Sequence, residues 1–282
     1  MIMNKKSFIL VFLMSFFAQN TQSINVIFDM GGVLAETNTL GFIWQVGPLR
    51  FILNTLLTQT NPRKVLYNFL ETLAPHAEGQ QQARDDKGNI VPQIMCDWLK
   101  GTKTPQEICT IISDGIDAHP ELFMNETDQE VIKAVAFGMF NPEMFIKTRV
   151  ILNNSIDFVK RCVAQGHHVY LLSNWDAVSF PLLLEQNPEF AALFKDRIVL
   201  SGEVGAIKPD PAIYLHLLKT YSLNPADCVF IDDQIENILT AQRIGMHAIH
   251  CTKSSGLLGT SPNMALVQEQ FDALCQTITA SA

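Results

Sequence analysis

The sequence predicts an α/β fold in which an open, doubly wound parallel sheet carries an all-helical domain, inserted after the first strand. Two observations lead to this prediction. Short apolar runs alternate with helical patterns along most of the chain, and the stretch 37–147 has no comparable series of strands. Continuous apolar runs separated by helices are typical of parallel strands that are covered on both faces.

The predicted strands are apolar runs of four or five residues, shorter than an ordinary helix. They are INVIF at 24–28, HVYLL at 168–172, RIVL at 197–200, CVFI at 228–231 and HAIH at 247–250. Helical patterns occupy 154–166, 210–223, 234–245 and 262–278. This alternation predicts βαβ units and therefore a parallel sheet.

The stretch 37–147 is predicted to be a helical cap, whereas 24–36 and 148–282 are predicted to form the sheet domain. The clearest helix signal in 37–147 is the capping box of Thr104 and Glu107, with Pro105 at the first helical position. An insertion directly after the first strand lies over the carboxyl edge of the sheet, where open sheets bind ligands. The sequence therefore predicts a lid over that edge.

Residues 1–23 have the layout of a secretory signal peptide. Lys5 and Lys6 precede an apolar run at 7–18 that is too short to span a bilayer, and a polar stretch follows. We therefore expect export, to a periplasm or out of the cell. The alternatives are an uncleaved anchor or a misassigned start codon, and without a signal peptide we expect a cytoplasmic protein. No later segment is a candidate membrane span.

The formal charge of −8 argues against non-specific binding to nucleic acid, because a phosphate backbone repels an acidic surface. The charge is compatible with a small anionic substrate, since basic side chains and backbone amides can make one site positive. The six cysteines and seven histidines have no spacing typical of a metal site. We therefore expect no metal site built on thiolate or imidazole.

Polar residues follow the predicted strands, at the edge where the carboxyl ends of parallel strands meet. They are Asp29 after 24–28, Ser173 and Asn174 after 168–172, Lys208 after 197–200, and Asp232 with Asp233 after 228–231. Four segments that are far apart in sequence thus bring three carboxylates, a hydroxyl, an amide and an ammonium to one crevice. We interpret this crevice as the candidate active site.

This set of groups suits phosphoryl transfer. Asp29 can act as a carboxylate nucleophile that forms an aspartyl-phosphate. A divalent cation held by Asp29, Asp232 and Asp233 would offset the repulsion between carboxylate and phosphate, and hard oxygen ligands select Mg²⁺. The sequence therefore predicts a small phosphorylated substrate and Mg²⁺ as cofactor.

Donors for the phosphoryl oxygens are predicted at the same edge. They are the side chains of Lys208, Ser173 and Asn174 and the backbone amides of Met30 and Gly31. Such donors stabilise charge where it accumulates during phosphoryl transfer. The glycines at 31 and 32 let the backbone turn sharply and approach a phosphate closely.

These motifs resemble the signature motifs of the haloacid dehalogenase-like (HAD) hydrolase superfamily. The resemblance is carried, in family order and with a helical insert at the usual cap position, by VIFDMGGVL, YLLSN, KPDPAIY and VFIDDQIENI. It implies a Rossmann-like core, Mg²⁺, Asp29 as nucleophile, Ser173 and Lys208 at the phosphate, and Asp233 with Asp232 at the metal. The motifs are most similar to the branch of sugar phosphatases and the amino-terminal domain of epoxide hydrolases.

Gly31 departs from the pattern of the superfamily's phosphatases, which usually carry a second aspartate there as general acid and base. The family's metal ligand at this position is the main-chain carbonyl, so glycine keeps that ligand and removes the proton donor. Such a group is worth about 10²–10⁴ in rate. The alternatives are a catalytically weak or silent binding protein of the same fold, or a haloacid dehalogenase-type hydrolase. The latter needs no metal, so the Asp232–Asp233 pair argues against it.

Overall fold

A computed structural model describes residues 23–59, 61–76, 83–85, 88–256 and 259–281 of the chain. The predicted signal peptide, apart from Ser23, lies outside the described residues and stays a prediction. In the described part of the chain, no helix is long and apolar enough to cross a membrane. The six cysteines are free thiols.

The strands follow one another along the chain as β1 (Asn25–Phe28), β2 (Ala35–Thr37), β3 (Arg149–Ile151), β4 (His168–Ser173), β5 (Ile198–Leu200), β6 (Cys228–Asp232), β7 (His247–His250), β8 (Lys253–Gly256) and β9 (Gly259–Pro262). The central sheet contains five parallel strands in the spatial order β5-β4-β1-β6-β7. The predicted apolar runs are these five strands, which confirms the doubly wound α/β fold.

The α-helices before β3 are α1 (Thr39–Val46), α2 (Pro48–Thr58), α3 (Pro62–Leu73), α4 (Gln93–Leu99), α5 (Pro105–Ala118), α6 (Glu126–Phe140) and α7 (Pro142–Lys147). Those after β3 are α8 (Asn153–Ala164), α9 (Ser179–Gln186), α10 (Pro188–Phe194), α11 (Ser201–Val204), α12 (Pro211–Thr220), α13 (Ile235–Ile244) and α14 (Met264–Ser281). Short 3₁₀ turns occupy Pro120–Leu122 and Pro225–Asp227.

Helices cover both faces of the sheet because side chains alternate along each strand. Phe28 packs on one face with Phe158 of α8 and Phe271 of α14. Ile27 faces the opposite way, in a second cluster that includes Tyr214 of α12 and Ile238 of α13. The strands are therefore apolar on both sides, which is the reason for their continuous apolar sequence.

Helices α1 to α7, at residues 39–147, form what we call the helical insert. They pack around their own apolar core, which includes Leu66, Ile112, Val131 and Phe140. The predicted capping box is present, because Thr104 accepts from the main-chain N–H of Glu107 and the Glu107 carboxylate accepts from that of Thr104. The chain enters and leaves the insert through the antiparallel pair β2 and β3, which the sequence analysis did not predict.

Candidate active site

The strand register places Asp29 and Asp232 side by side at the carboxyl edge of the sheet. Phe28 is level with Ile231, and the main-chain N–H of Asp29 donates to the carbonyl of Ile231 at 2.9 Å. The chain builds β4 and β5 on one side of β1 and then crosses to β6 on the other. The pair β1 and β6 is therefore a topological switch point, the place where open α/β sheets bind ligands.

Lys208 lies between these two aspartates. Its Nζ is 2.6 Å from Oδ1 of Asp29 and 2.7 Å from Oδ2 of Asp232, and all three side chains are buried. Burial alone would lower the pKa of Lys208, but the two carboxylates outweigh burial and raise it. The ammonium is therefore charged and fixed beside the candidate nucleophile.

Asp232 is saturated with hydrogen bonds from the protein. Its Oδ1 accepts from the main-chain N–H of Gln234 at 2.8 Å, and Nδ2 of Asn237 is 3.0 Å from both carboxylate oxygens. Lys208 donates to its Oδ2. Asp232 was predicted as a metal ligand, and the structure places it near the other carboxylates but primarily as the partner of Lys208.

Asn237 was missed by the sequence analysis. It is buried on α13, one helical turn beyond the aspartate pair, where an i to i+5 contact reaches back to Asp232. The signal available in the sequence was the spacing of five residues between the first Asp and the Asn of DDQIEN, at 232–237. Lys253 of β8 was missed as well, and its Nζ lies 3.9 Å from Oδ2 of Asp233.

Asp233 differs from Asp232 because one of its oxygens has no partner. Its Oδ1 is buried and has no hydrogen bond within the described residues. Burial, together with repulsion from Asp29 and Asp232, raises the pKa of Asp233 to about 8. Burial also raises the pKa of Asp29 to about 7, although Lys208 opposes the increase. Both carboxylates are thus poorly stabilised as anions by the protein alone.

The turn after β1 brings the backbone close to Asp233. Gly32 has a φ of +71°, and a Cβ built on it would lie 2.2 Å from Oδ2 of Asp233. Gly31 is exposed, and a Cβ there meets no atom of the described residues within 4 Å. Met30 is buried, and its main-chain N–H hydrogen-bonds the Asp29 carboxylate. A side chain at 32 would be strained by the positive φ and would displace the Asp233 carboxylate, whereas position 31 has space for a side chain.

Ser173 and Asn174 occupy the end of β4, beside Asp29. Ser173 is buried and lines the same cavity as Asp29 and Lys208. The Asn174 side chain binds the main chain of Lys208 twice, with Oδ1 accepting from its N–H at 2.7 Å and Nδ2 donating to its carbonyl at 2.9 Å. Asn174, predicted to bind phosphate, is in this structure engaged in positioning Lys208.

The oxygen atoms fit a hard divalent cation. One carboxylate oxygen from each of Asp29, Asp232 and Asp233 lies within 4.8 Å of the other two. In the described part of the chain, no hydrogen bond uses the carbonyl of Gly31. Three carboxylates face Lys208, with Lys253 at 3.9 Å from the outermost of them, so negative charge remains in excess. A divalent cation would neutralise that excess, and oxygen ligands of this kind suit Mg²⁺.

A cavity of about 680 Å³ opens onto these residues. It is lined on one side by Asp29, Gly31, Ser173 and Lys208 of the sheet edge, and on the other by residues of the helical insert. Its volume is within the range of small-molecule sites. Residues of the sheet edge and of the insert thus line the same cavity.

Comparison with known proteins identifies the family. Residues 25–245, more than three quarters of the chain, match the family described as haloacid dehalogenase-like hydrolase. The chain belongs to the haloacid dehalogenase-like hydrolases. This membership confirms the resemblance predicted from the four motifs, and the three carboxylates at the sheet edge fit the Mg²⁺ that the resemblance implies.

Individual relatives of this HAD-like hydrolase match shorter stretches. The sesquiterpene phosphatase astK of Aspergillus oryzae is 40% identical over 90 residues, which are 32% of this chain and 45% of that protein. The D-ribitol-5-phosphate phosphatase of Bacteroides thetaiotaomicron is 30% identical over 131 residues, which are 44% of this chain and 56% of that protein. The chain thus spans about half the length of these two curated relatives.

A crystal structure of a HAD family enzyme from Bacteroides thetaiotaomicron shares the fold. It aligns with a TM-score of 0.52 at 19% identity and covers 81% of this chain and 93% of that one. This similarity supports the Rossmann-like architecture independently of the motifs.

Proposed function

We propose that this hydrolase is a Mg²⁺-dependent phosphatase that acts on a small phosphorylated molecule through an aspartyl-phosphate on Asp29. One observation carries the proposal. The Lys208 ammonium is 2.6 Å from the Asp29 carboxylate, and beside them a buried oxygen of Asp233 has no hydrogen-bond partner among the described residues. A carboxylate that lies beside an ammonium group at the floor of a cavity is well placed to attack the phosphorus atom of an anionic phosphate.

Each residue has a defined part in this proposal. The Asp29 carboxylate forms a bond to phosphorus as the bond to the leaving alkoxide breaks, and Lys208 with Ser173 balances the charge on the phosphoryl oxygens. Asp232 and Asn174 position Lys208, the first through its carboxylate and the second through the main chain. The leaving alkoxide takes its proton from water in the cavity, and water or the hydroxide so formed then hydrolyses the aspartyl-phosphate and regenerates Asp29.

The magnesium ligands in this proposal are Asp29, Asp233 and the carbonyl of Gly31. Bound there, Mg²⁺ supplies positive charge that offsets the repulsion between the carboxylates and the phosphate. Asp232 adds negative charge to the same centre, but its oxygens already accept from Lys208, Gln234 and Asn237. The two adjacent aspartates thus have different parts in the proposal: Asp233 binds the metal, and Asp232 positions Lys208.

Gly31 favours a second candidate, a binding protein with little turnover. Position 31 offers no carboxylic acid to protonate a leaving group, although the space for one is open. The phosphatase interpretation therefore requires a leaving group that departs without much protonation, or a proton from elsewhere. Two of the relatives are a sesquiterpene phosphatase and a D-ribitol-5-phosphate phosphatase, which favours a phosphatase over a binding protein without turnover.

The direct test is phosphate release from an activated aryl phosphate, with and without Mg²⁺. We expect turnover with Mg²⁺ and loss of turnover with excess EDTA, restored when Mg²⁺ is added back. Thermal unfolding in Mg²⁺ with beryllium fluoride, a phosphoryl mimic, is measured in parallel. Stabilisation without turnover on aryl or alkyl phosphates would support the silent binding protein instead.

Two glycine variants test the metal site. Gly32→Ala is expected to weaken Mg²⁺ binding at least about tenfold, because its Cβ collides with Asp233 and alanine disfavours the positive φ. Gly166→Ala is the matched control, since Gly166 also has a positive φ, of +86°, but its Cβ meets nothing within 4 Å among the described residues and it lies outside the site. Calorimetric titration of each variant with Mg²⁺ gives the comparison. Equal affinities in both variants would place the metal away from Asp233.

A further inference from the structure

We propose that the phosphorylated substrate is a monoester of an alcohol with a bulky apolar group, rather than a sugar phosphate. This inference rests on the proposed phosphatase function and specifies its substrate class. The observation behind it is the composition of the 680 Å³ cavity between the sheet edge and the helical insert. The phosphate would lie at Asp29 and Lys208, and the organic group would extend into the insert.

The insert side of the cavity is predominantly apolar. Its apolar lining includes Phe42, Phe51, Val91, Trp98, Met139 and Phe145. These residues come from five helices and one loop, so the apolar surface surrounds the cavity instead of forming a single strip. Apolar walls of this kind gain free energy in proportion to the apolar area that a ligand buries.

The polar residues of the same lining are engaged with the protein. Arg63 binds Asp85 at 3.0 Å, and Arg84 binds Glu236 at 3.2 Å. Thr55 and Asn61 likewise have partners in their own helix turns, Thr55 donating to the carbonyl of Phe51 and Asn61 accepting from the N–H of Arg63. The Tyr67 hydroxyl accepts from Arg63 at 3.1 Å, and Arg149 donates to Thr37 and lies over the Phe145 ring. Thr39 and Gln59, also in the lining, are exposed.

A sugar phosphate is a poor match for these surroundings. Each buried hydroxyl of a sugar requires a hydrogen-bond partner, and a hydroxyl placed against Met139 or Val135 would lose its water without replacement. An alkyl or cyclic hydrocarbon group loses nothing comparable and buries apolar area instead. The structure therefore favours the apolar ester, because removing a hydrocarbon group from water is favourable whereas removing hydroxyls that gain no hydrogen-bond partner is costly.

A series of primary alkyl phosphates tests the inference, with phosphate release measured in Mg²⁺ below the critical micelle concentration. From ethyl to decyl phosphate we expect kcat/KM to rise about two- to fourfold per added methylene until the cavity is filled. Glycerol phosphate, which has a polar group of similar length to propyl, should be hydrolysed more slowly than propyl phosphate. A kcat/KM that is independent of chain length would overturn the inference while phosphate release upheld the proposed function.

A pair of methionine variants locates the effect in the cavity. Met139→Gln keeps the side-chain volume and adds an amide to the lining, so kcat/KM for decyl phosphate should fall about tenfold while that for ethyl phosphate changes little. Met124→Gln is the matched control, because Met124 is 66% exposed and outside the cavity. Equal losses in both variants would contradict the assignment.

Binding of phosphonates separates this inference from the proposed function. If no phosphate ester is hydrolysed, the proposed function fails, and calorimetry with decylphosphonate and methylphosphonate then decides the substrate-class question. Tighter binding of decylphosphonate, weakened in Met139→Gln but not in Met124→Gln, would support an apolar ligand site. Equal binding of the two phosphonates would overturn it.

Discussion

The Asp29→Asn variant is expected to lose at least about 10⁴-fold in kcat, because the amide cannot form the aspartyl-phosphate on which the proposed mechanism depends. Asparagine has nearly the same shape as aspartate, and Lys208 keeps its ion pair with Asp232 at 2.7 Å. The measurement is phosphate release at saturating substrate and Mg²⁺.

Folding of this variant provides its control. The substitution removes one of three crowded carboxylates, so the midpoint of thermal unfolding without Mg²⁺ should be at least as high as that of the unmodified protein. Residual activity within about tenfold of the parent, in a protein that unfolds normally, would exclude Asp29 as the nucleophile.

Gly31→Asp is expected to raise kcat for alkyl phosphates by about 10²–10⁴, because it supplies the general acid that the family's phosphatases usually carry at this position. The substitution is sterically permitted, since a Cβ at Gly31 meets no atom within 4 Å. An activated aryl phosphate needs less protonation of its leaving group, so cleavage of that ester should accelerate less. Steady-state kinetics on both esters measure the difference.

Gly31→Asn distinguishes acid catalysis from a change in backbone or shape. It fills the same space without a titratable proton, and we expect the activity of the unmodified protein or less. If Gly31→Asn and Gly31→Asp accelerate equally, the gain comes from the backbone and not from proton transfer. If neither accelerates alkyl phosphate hydrolysis, another residue already supplies the proton.

The central sheet was predictable because each strand is buried on both faces. Such strands are continuous apolar runs, and their ends fall where Asp29, Ser173 and Asp232 appear in the sequence. Parallel pairing then brings these ends to one edge without further information. The motif residues were therefore predictable as a group from alternation and topology.

The unpredicted parts depend on contacts between distant segments. Strands β2 and β3 have three residues each and pair across the whole insert, so no local pattern identifies them. The different surroundings of Asp232 and Asp233 arise from Lys208 and Asn237, which bind Asp232, whereas one oxygen of Asp233 has no hydrogen bond in the part of the chain that the structure describes. The cavity lining depends equally on helix packing, which sequence periodicity does not determine.

The most direct test is to stop the reaction with acid during turnover and to determine by mass spectrometry which peptide carries phosphate. Without an acid–base group at position 31, hydrolysis of the intermediate should be slow, so the peptide containing Asp29 should be phosphorylated in the unmodified protein. The label should be absent from Asp29→Asn and reduced in Gly31→Asp. Phosphate on a different residue would contradict catalysis through Asp29. So would turnover with no phosphorylated peptide in either the unmodified protein or Gly31→Asp.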